Sequence, residues 1–103
     1  MRMDDYQRDA ARTRNPELDA RARLMDAAAG LAEESGEVLA LVRKHLYQGR
    51  DLDRAQLTEE LGDALWCLAA VAGDAGLTLA DVADANLGKL RQRHPDGFLP
   101  PPA

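Results

Sequence analysis

The chain has 103 residues, a mass of 11.2 kDa and a formal net charge of −5. This length supports one domain, and an acidic chain lacks the positive field that nucleic-acid polymers and anionic membranes require. Ala and Leu dominate the apolar residues, with 19 and 16 copies, whereas Val, Ile, Thr, Phe, Tyr and Trp together total only 11. The composition therefore predicts an all-α protein without a β-sheet.

Capping and helix-breaking residues divide the chain into four predicted helices. Their bounds are about Asp4–Thr13, Glu17 or Asp19 to Tyr47, a start after Asp51 or Asp53 to Ala75, and Thr78 to the residue before Pro95. Asn15 is the predicted N-cap of the second helix, with Pro16 at its first position. Thr78 is the predicted N-cap of the fourth, and Gly76 suits a left-handed helix end. The short connections favour a helical bundle.

The rest of the pattern bears on domain organisation and cellular location. We expect one domain over residues 1–98 and a disordered Pro-rich tail over 99–103. The longest apolar run, Ala64 to Ala72, is nine residues, too short to cross a bilayer, and the first residues lack an apolar signal segment. A single cysteine, Cys67, fits a reducing compartment. These features predict a cytoplasmic protein.

Gly30 and Gly36 inside the second helix indicate a kink or a close helix contact.

Three pairs of acidic residues have the i,i+3 spacing that places two carboxylates on one helix face. They are Glu34/Glu37, Glu60/Asp63 and Asp81/Asp84. With 18 acids in 103 residues, chance alone predicts about three such pairs, so spacing does not identify a site. Position on the helix separates them, because the first two pairs border the predicted apolar stripes. Asp81/Asp84 instead project away from the stripe at a helix N-terminus, where the macrodipole favours acids.

Carboxylates beside a core need a partner because their desolvation is costly. The two facing pairs would suit a hard divalent cation, and all-oxygen ligation favours Mg²⁺ or Mn²⁺. The alternative is that they pair with Arg or Lys at a helix interface. The Glu-x-x-His motif of di-iron bundles is missing, because Ala40 and Asp63 stand at the histidine positions.

Basic and amide side chains form a second polar feature. Asn86, Lys89 and Arg93 recur at i, i+3 and i+7 on the last predicted helix, where they would bind phosphate oxygens and a sugar or base. The alternative is an exposed basic stripe near a helix C-terminus. Lys44 is either solvated or a phosphate contact supplied to a neighbouring subunit. Trp66 lies off the main apolar stripe, which favours an interface over a base-stacking role.

Three segments in this order resemble the small, single-domain MazG-type nucleoside triphosphate pyrophosphohydrolases. They are Gly30–Val38 (GLAEESGEV), Glu60–Trp66 (ELGDALW) and Asn86–Phe98 (NLGKLRQRHPDGF). The resemblance covers about Tyr6 to Phe98. It implies a four-helix MazG-like bundle whose site lies on the two central helices and the last helix. Oligomerisation, as a homodimer or homotetramer, would complete that site.

The resemblance also implies an acid-anhydride hydrolase that converts (d)NTPs to (d)NMP and pyrophosphate and cleans the nucleotide pool. Glu34, Glu37, Glu60 and Asp63 would be its Mg²⁺ ligands, with Mn²⁺ as a substitute, and Glu34 and Glu37 its catalytic carboxylates. The substrate-binding residues expected are Asn86, Lys89, Arg93 and Lys44. Glu33 matches the first Glu of the family motif but projects outward. A runner-up function is a catalytically silent helical oligomer that binds nucleotide or a protein partner.

Overall fold

The computed structural model describes residues 1–102 as four helices. They are α1 (Met3–Ala11), α2 (Ala20–Tyr47), α3 (Arg54–Asp74) and α4 (Leu79–Arg93). Within this range no β-strand occurs, and the one isolated bridge joins Pro95 to Gly97. The all-α prediction is therefore confirmed. The predicted tail has no helix or strand over 99–102, and Ala103 lies outside the described residues.

Side-chain caps fix the starts of three helices. The Asp53 carboxylate accepts a hydrogen bond from the Gln56 N–H at 3.0 Å, and the Thr78 hydroxyl accepts one from the Asp81 N–H at 3.1 Å. Each cap satisfies one of the N–H groups that a first helical turn leaves without a backbone partner. Thr78 is thus confirmed as the N-cap of α4.

The predicted N-cap of α2 is wrong. The Asn15 side chain accepts from the Glu17 N–H at 3.0 Å, which closes a local turn instead of starting a helix. Asp19 caps α2 by accepting from the Ala22 N–H at 2.8 Å, so the helix begins at Ala20. Asn15 and Asp19 can both cap a helix, and in this structure Asp19 does so.

The end of α3 has the expected left-handed glycine. Gly76 has a φ of +75°, and the Leu77 N–H donates to the Ala72 carbonyl at 2.8 Å across the turn. This is the six-to-one bond of a Schellman motif, which turns the chain sharply after the helix. α4 consequently leaves α3 at an angle of 99°.

Helices α2 and α3 form an antiparallel hairpin that is the centre of the fold. α1 packs against α3, and α4 packs only against α1 and α3. The buried residues among 1–102 are Ala27, Cys67, Ala69, Ala70, Ala72 and Leu79. The core therefore consists mainly of small side chains that let helices approach closely. Two larger apolar side chains of α3, Leu65 and Leu68, are 41% and 38% exposed.

Gly30 provides the closest approach within the hairpin. A Cβ at this position would lie 2.9 Å from the Cys67 Sγ, whereas nothing stands within 4 Å of a Cβ at Gly36. Gly30 is therefore the glycine that permits a close helix contact, as one of the two sequence interpretations predicted. This contact lies one turn from the acidic residues on both helices.

Arg14 and Trp66 attach the segment after α1 to α3. Arg14 makes a bidentate ion pair with Asp74 at 2.8 and 3.0 Å and stacks over the Trp66 ring at 5.7 Å. The Trp66 indole N–H donates to the Thr13 hydroxyl at 2.8 Å. Trp66 therefore forms an interface within the chain, between α3 and the segment after α1.

The chain is extended for its size. Its radius of gyration is 16.9 Å, against about 13 Å for a compact domain of this length. Its accessible surface is 8167 Å², against about 5,700 Å² for a compact monomer of this mass. Among the described helices, none is long and apolar enough to cross a membrane alone. Helices α3 and α4 together have the length and composition of a membrane span, but they are bent by 99° where they join.

Candidate metal centre

Three carboxylates converge where α2 faces α3. Glu34 comes from α2, and Glu60 and Asp63 come from successive turns of α3. One oxygen from each lies within 4.8 Å of the others. Glu34 and Glu60 are half-buried and Asp63 is exposed, so the cluster opens to solvent on one side.

Electrostatics within the cluster are unfavourable without a cation. The pKa of Glu34 is raised to about 7, chiefly by a hydrogen bond to Glu60 and further by desolvation and by the charges of Asp63, Glu60 and Glu33. Glu34 is therefore about half protonated at pH 7, and its proton links two carboxyl groups. A divalent cation would take the place of that proton and offset the remaining repulsion. The donor set is all oxygen, which fits Mg²⁺ or Mn²⁺.

The ion-pair alternative finds no support among residues 1–102. The salt bridges there are Arg8–Asp5 and Arg14–Asp74, and neither involves the three clustered acids. No Lys or Arg offsets their charge by direct contact. The arrangement therefore differs from a structural ion-pair network.

Cys67 and Tyr6 form the surroundings of the cluster. Burial raises the pKa of the Cys67 thiol, and Glu34 and Asp63 raise it further, so the sulfur stays protonated and uncharged beside the acids. Burial also raises the pKa of the Tyr6 phenol, with further contributions from Asp63 and Cys67. Helix α1 thus brings an aromatic hydroxyl towards the acids. Tyr6 was not predicted from the sequence as part of the site, although it is the one aromatic residue of α1.

The fourth proposed ligand does not join the cluster. Glu37 lies one turn beyond Glu34 on α2, is exposed, and is not one of the three carboxylates that converge. A step of three residues rotates a helical position by about 60°, which takes Glu37 to the edge of the shared face. Glu33 is exposed, in agreement with its predicted outward projection.

The proposed substrate-binding residues also lie apart from the acids within one chain. Lys44 is ten residues beyond Glu34, about 15 Å along the axis of α2. It lines a cavity of about 230 Å³ at the hairpin connection, with Arg50 and Gln56. Asn86, Lys89 and Arg93 are exposed on α4, which does not pack against α2. The structure unites three acids, and it brings none of the proposed phosphate-binding residues to them.

Comparisons with known proteins identify the family. A profile of the MazG nucleotide pyrophosphohydrolase domain matches residues 24–98, which include all three clustered acids and helices α3 and α4. Gene 37 protein of Mycobacterium phage L5 is 36% identical in an alignment of 77 positions that covers 68% of this chain and 65% of that protein. The chain therefore spans just under two thirds of that relative's length. No solved structure matches. Because the family profile covers most of an all-helical chain, the protein belongs to the MazG nucleotide pyrophosphohydrolase family.

Proposed function

We propose that this protein is a Mg²⁺-dependent hydrolase that converts (d)NTPs to (d)NMP and pyrophosphate, with Mn²⁺ as an alternative metal. The observation that carries the proposal is the convergence of Glu34, Glu60 and Asp63 within 4.8 Å without a pairing Lys or Arg. Family membership supplies the reaction class. A cytoplasmic enzyme of this kind would remove unwanted nucleotides from the pool.

The carboxylates have separable roles in this reaction. Glu34, Glu60 and Asp63 would hold the cation. When bound, the cation would neutralise phosphate charge and lower the pKa of a water molecule that it coordinates. Glu37 is exposed one turn away, so its carboxylate oxygen is free to join the ligand set or to accept a proton from the attacking water. Glu34 must first lose the proton that it shares with Glu60.

A second copy of the chain would bring the basic residues to the acids. The accessible surface exceeds that of a compact monomer by about 2,500 Å² per chain, an excess that extensive subunit interfaces would bury. On α3, Leu61, Leu65 and Leu68 form an exposed apolar stripe that a partner subunit would cover. In a homodimer or homotetramer, Asn86, Lys89 and Arg93 of one subunit would bind the phosphates held at the acids of another, and Lys44 would contribute from the hairpin end.

Pyrophosphate release from a panel of canonical and modified nucleoside triphosphates, with and without Mg²⁺ or Mn²⁺, tests the activity. Glu60→Gln and Glu37→Gln should each reduce turnover by about 10- to 100-fold while circular dichroism remains unchanged. Asp81→Asn is the matched control, because Asp81 belongs to an i,i+3 pair outside the cluster. Turnover of no substrate would favour the catalytically silent oligomer, and an equal loss in Asp81→Asn would contradict the assignment of the acidic faces.

Sedimentation velocity tests the assembly. We expect a dimer or tetramer that Leu65→Gln weakens, since a polar group would enter the proposed apolar interface. A stable folded monomer of the wild-type chain at micromolar concentration would contradict this part of the proposal.

A further inference from the structure

Gln7 of α1 makes three hydrogen bonds around the turn between α3 and α4. Its Nε2 donates to the Ala69 carbonyl at 3.3 Å and to the Leu77 carbonyl at 3.0 Å. Its Oε1 accepts from the Leu79 N–H at 2.9 Å. Both ends of one amide are therefore bonded to backbone groups 62 to 72 residues away.

The first turn of α4 depends largely on α1 for its hydrogen-bond partners. Leu79 donates to Gln7, Ala80 donates to the Asp4 carboxylate at 3.2 Å, and Asp81 donates to the Thr78 hydroxyl. Two of these three partners belong to α1. A helix start whose N–H groups are satisfied from a neighbouring helix is held in position relative to that helix.

Apart from these bonds, only its packing against α1 and α3 fixes the direction of α4. Leu79 is its single buried residue, and the helix leaves α3 at 99° without packing against α2. Lys89 lies ten residues beyond Leu79, about 15 Å along the helix axis. A tilt of about 10° at the first turn would thus move Lys89 by about 2.6 Å, which exceeds the tolerance of a phosphate hydrogen bond.

We propose that Gln7 is a positioning residue that sets the angle of α4 and thereby presents Asn86, Lys89 and Arg93 to the substrate. This inference rests on the proposed function. Glutamine suits the role because its side chain both donates and accepts. Glu at this position would keep the acceptor for Leu79 and lose both donors, and Leu would lose all three bonds.

Kinetic measurements on Gln7→Leu and Gln7→Glu test the inference, with Arg8→Gln as the control. Arg8 is the next residue on α1, and its side chain bonds the exposed Asp5 and does not bond α4. In Gln7→Leu we expect KM for the nucleotide to rise about tenfold, which corresponds to about 1.4 kcal/mol. We expect kcat to change less than about twofold and Mg²⁺ activation to stay the same. Gln7→Glu should give an intermediate KM, and Arg8→Gln should match the wild type.

A double-mutant cycle with Lys89→Ala separates positioning from a general structural effect. If Gln7 acts through α4, Gln7→Leu should raise KM by a smaller factor when Lys89 is already absent, because one of the three side chains that Gln7 positions is gone. Additive effects of the two substitutions would overturn the inference, as would an unchanged KM in Gln7→Leu. If Gln7→Leu does not fold, the same cycle is made with Gln7→Glu.

Amide hydrogen exchange tests the same idea without turnover. We expect faster exchange along the whole of α4 in Gln7→Leu, with the α2–α3 hairpin unaffected. Faster exchange at Leu79 alone, or unchanged protection of α4, would refute the positioning role. Failure of the wild type to hydrolyse any nucleotide would count against the proposed function, and the exchange result would still decide whether Gln7 holds α4.

Discussion

Binding of Mg²⁺ should release a proton, and the number released should depend strongly on pH. The hydrogen bond between Glu34 and Glu60, together with desolvation and neighbouring charge, raises the pKa of Glu34 from 4.5 to about 7. The metal requires an ionised carboxylate, so the shared proton must leave when the metal binds. At pH 6 about nine-tenths of Glu34 carries the proton, and at pH 8 about one-tenth does.

The magnitude follows from this titration. We expect about 0.9 proton released per cation at pH 6 and about 0.1 at pH 8, with an apparent dissociation constant about tenfold weaker at pH 6. Isothermal titration calorimetry of the full chain with Mg²⁺, in two buffers of different ionisation enthalpy, counts these protons directly. Mn²⁺ serves as a second cation with the same ligand preference.

Two variants sharpen the measurement. Glu34→Gln should abolish the pH-dependent proton release, because the titrating group is gone, and should weaken binding at both pH values. Asp81→Asn should retain both the release and the affinity. Equal Mg²⁺ affinity at pH 6 and pH 8 in the wild type, or release that persists in Glu34→Gln, would refute the assignment of the shared proton to the metal centre.

Three further outcomes follow from the packing and charges. Gly30→Ala should lower the free energy of unfolding by about 1–3 kcal/mol, because the added Cβ would lie 2.9 Å from the Cys67 Sγ. Gly36→Ala should raise the free energy of unfolding by about 0.5–1 kcal/mol, because nothing lies within 4 Å of its Cβ. Urea denaturation measures both values, and equal effects would contradict the close contact at Gly30. Asp74→Asn should lower the free energy of unfolding by about 2–3 kcal/mol, because it leaves the charge of the nearly buried Arg14 unpaired. Arg8→Gln, which breaks an exposed ion pair, should lower it by less than about 1 kcal/mol. Equal losses in urea denaturation would contradict this difference. Because the pKa of Glu34 is raised from 4.5 to about 7, its contribution to metal-free stability is complete below pH 4.5 and is lost as pH rises through about 7. Glu34→Gln does not titrate, so the melting temperature of the wild type should fall relative to that of Glu34→Gln over this range, and an unchanged difference would contradict the raised pKa.

Local chemistry made the helix boundaries predictable. Thr78 and Gly76 act within a few residues of their partners, so their roles could be inferred from neighbouring positions alone. The same reasoning failed at Asn15, because Asn15 and Asp19 can each cap a helix and sequence does not rank them. The acidic cluster was predictable for a similar reason, since helical geometry places Glu34 and Glu60 beside the apolar stripes.

Contacts between distant residues were beyond that reasoning. Gln7 meets Leu79 across 72 positions, and Arg14 meets Asp74 across 60. Neither pair leaves a periodic pattern, because each depends on where α1 crosses α3. The same limit applies to Glu37. A helical projection places Glu37 near the shared face, but the convergence of carboxylate oxygens also depends on the side-chain direction and on the distance to the facing helix.

The separation of acids from bases within one chain has a functional logic in the proposed mechanism. If Lys89 or Arg93 lay against Glu34, the opposite charges would pair, and neither a cation nor a phosphate would find a free partner. Among residues 1–102 no Lys or Arg pairs with the three clustered acids, so the acids retain their mutual repulsion, and the bases of α4 remain exposed. A triphosphate is repelled by the acids alone, and a bound divalent cation reverses that repulsion. The metal and the partner's α4 would then act on the same phosphates from opposite sides, which explains how a chain with a net charge of −5 could bind a polyanion.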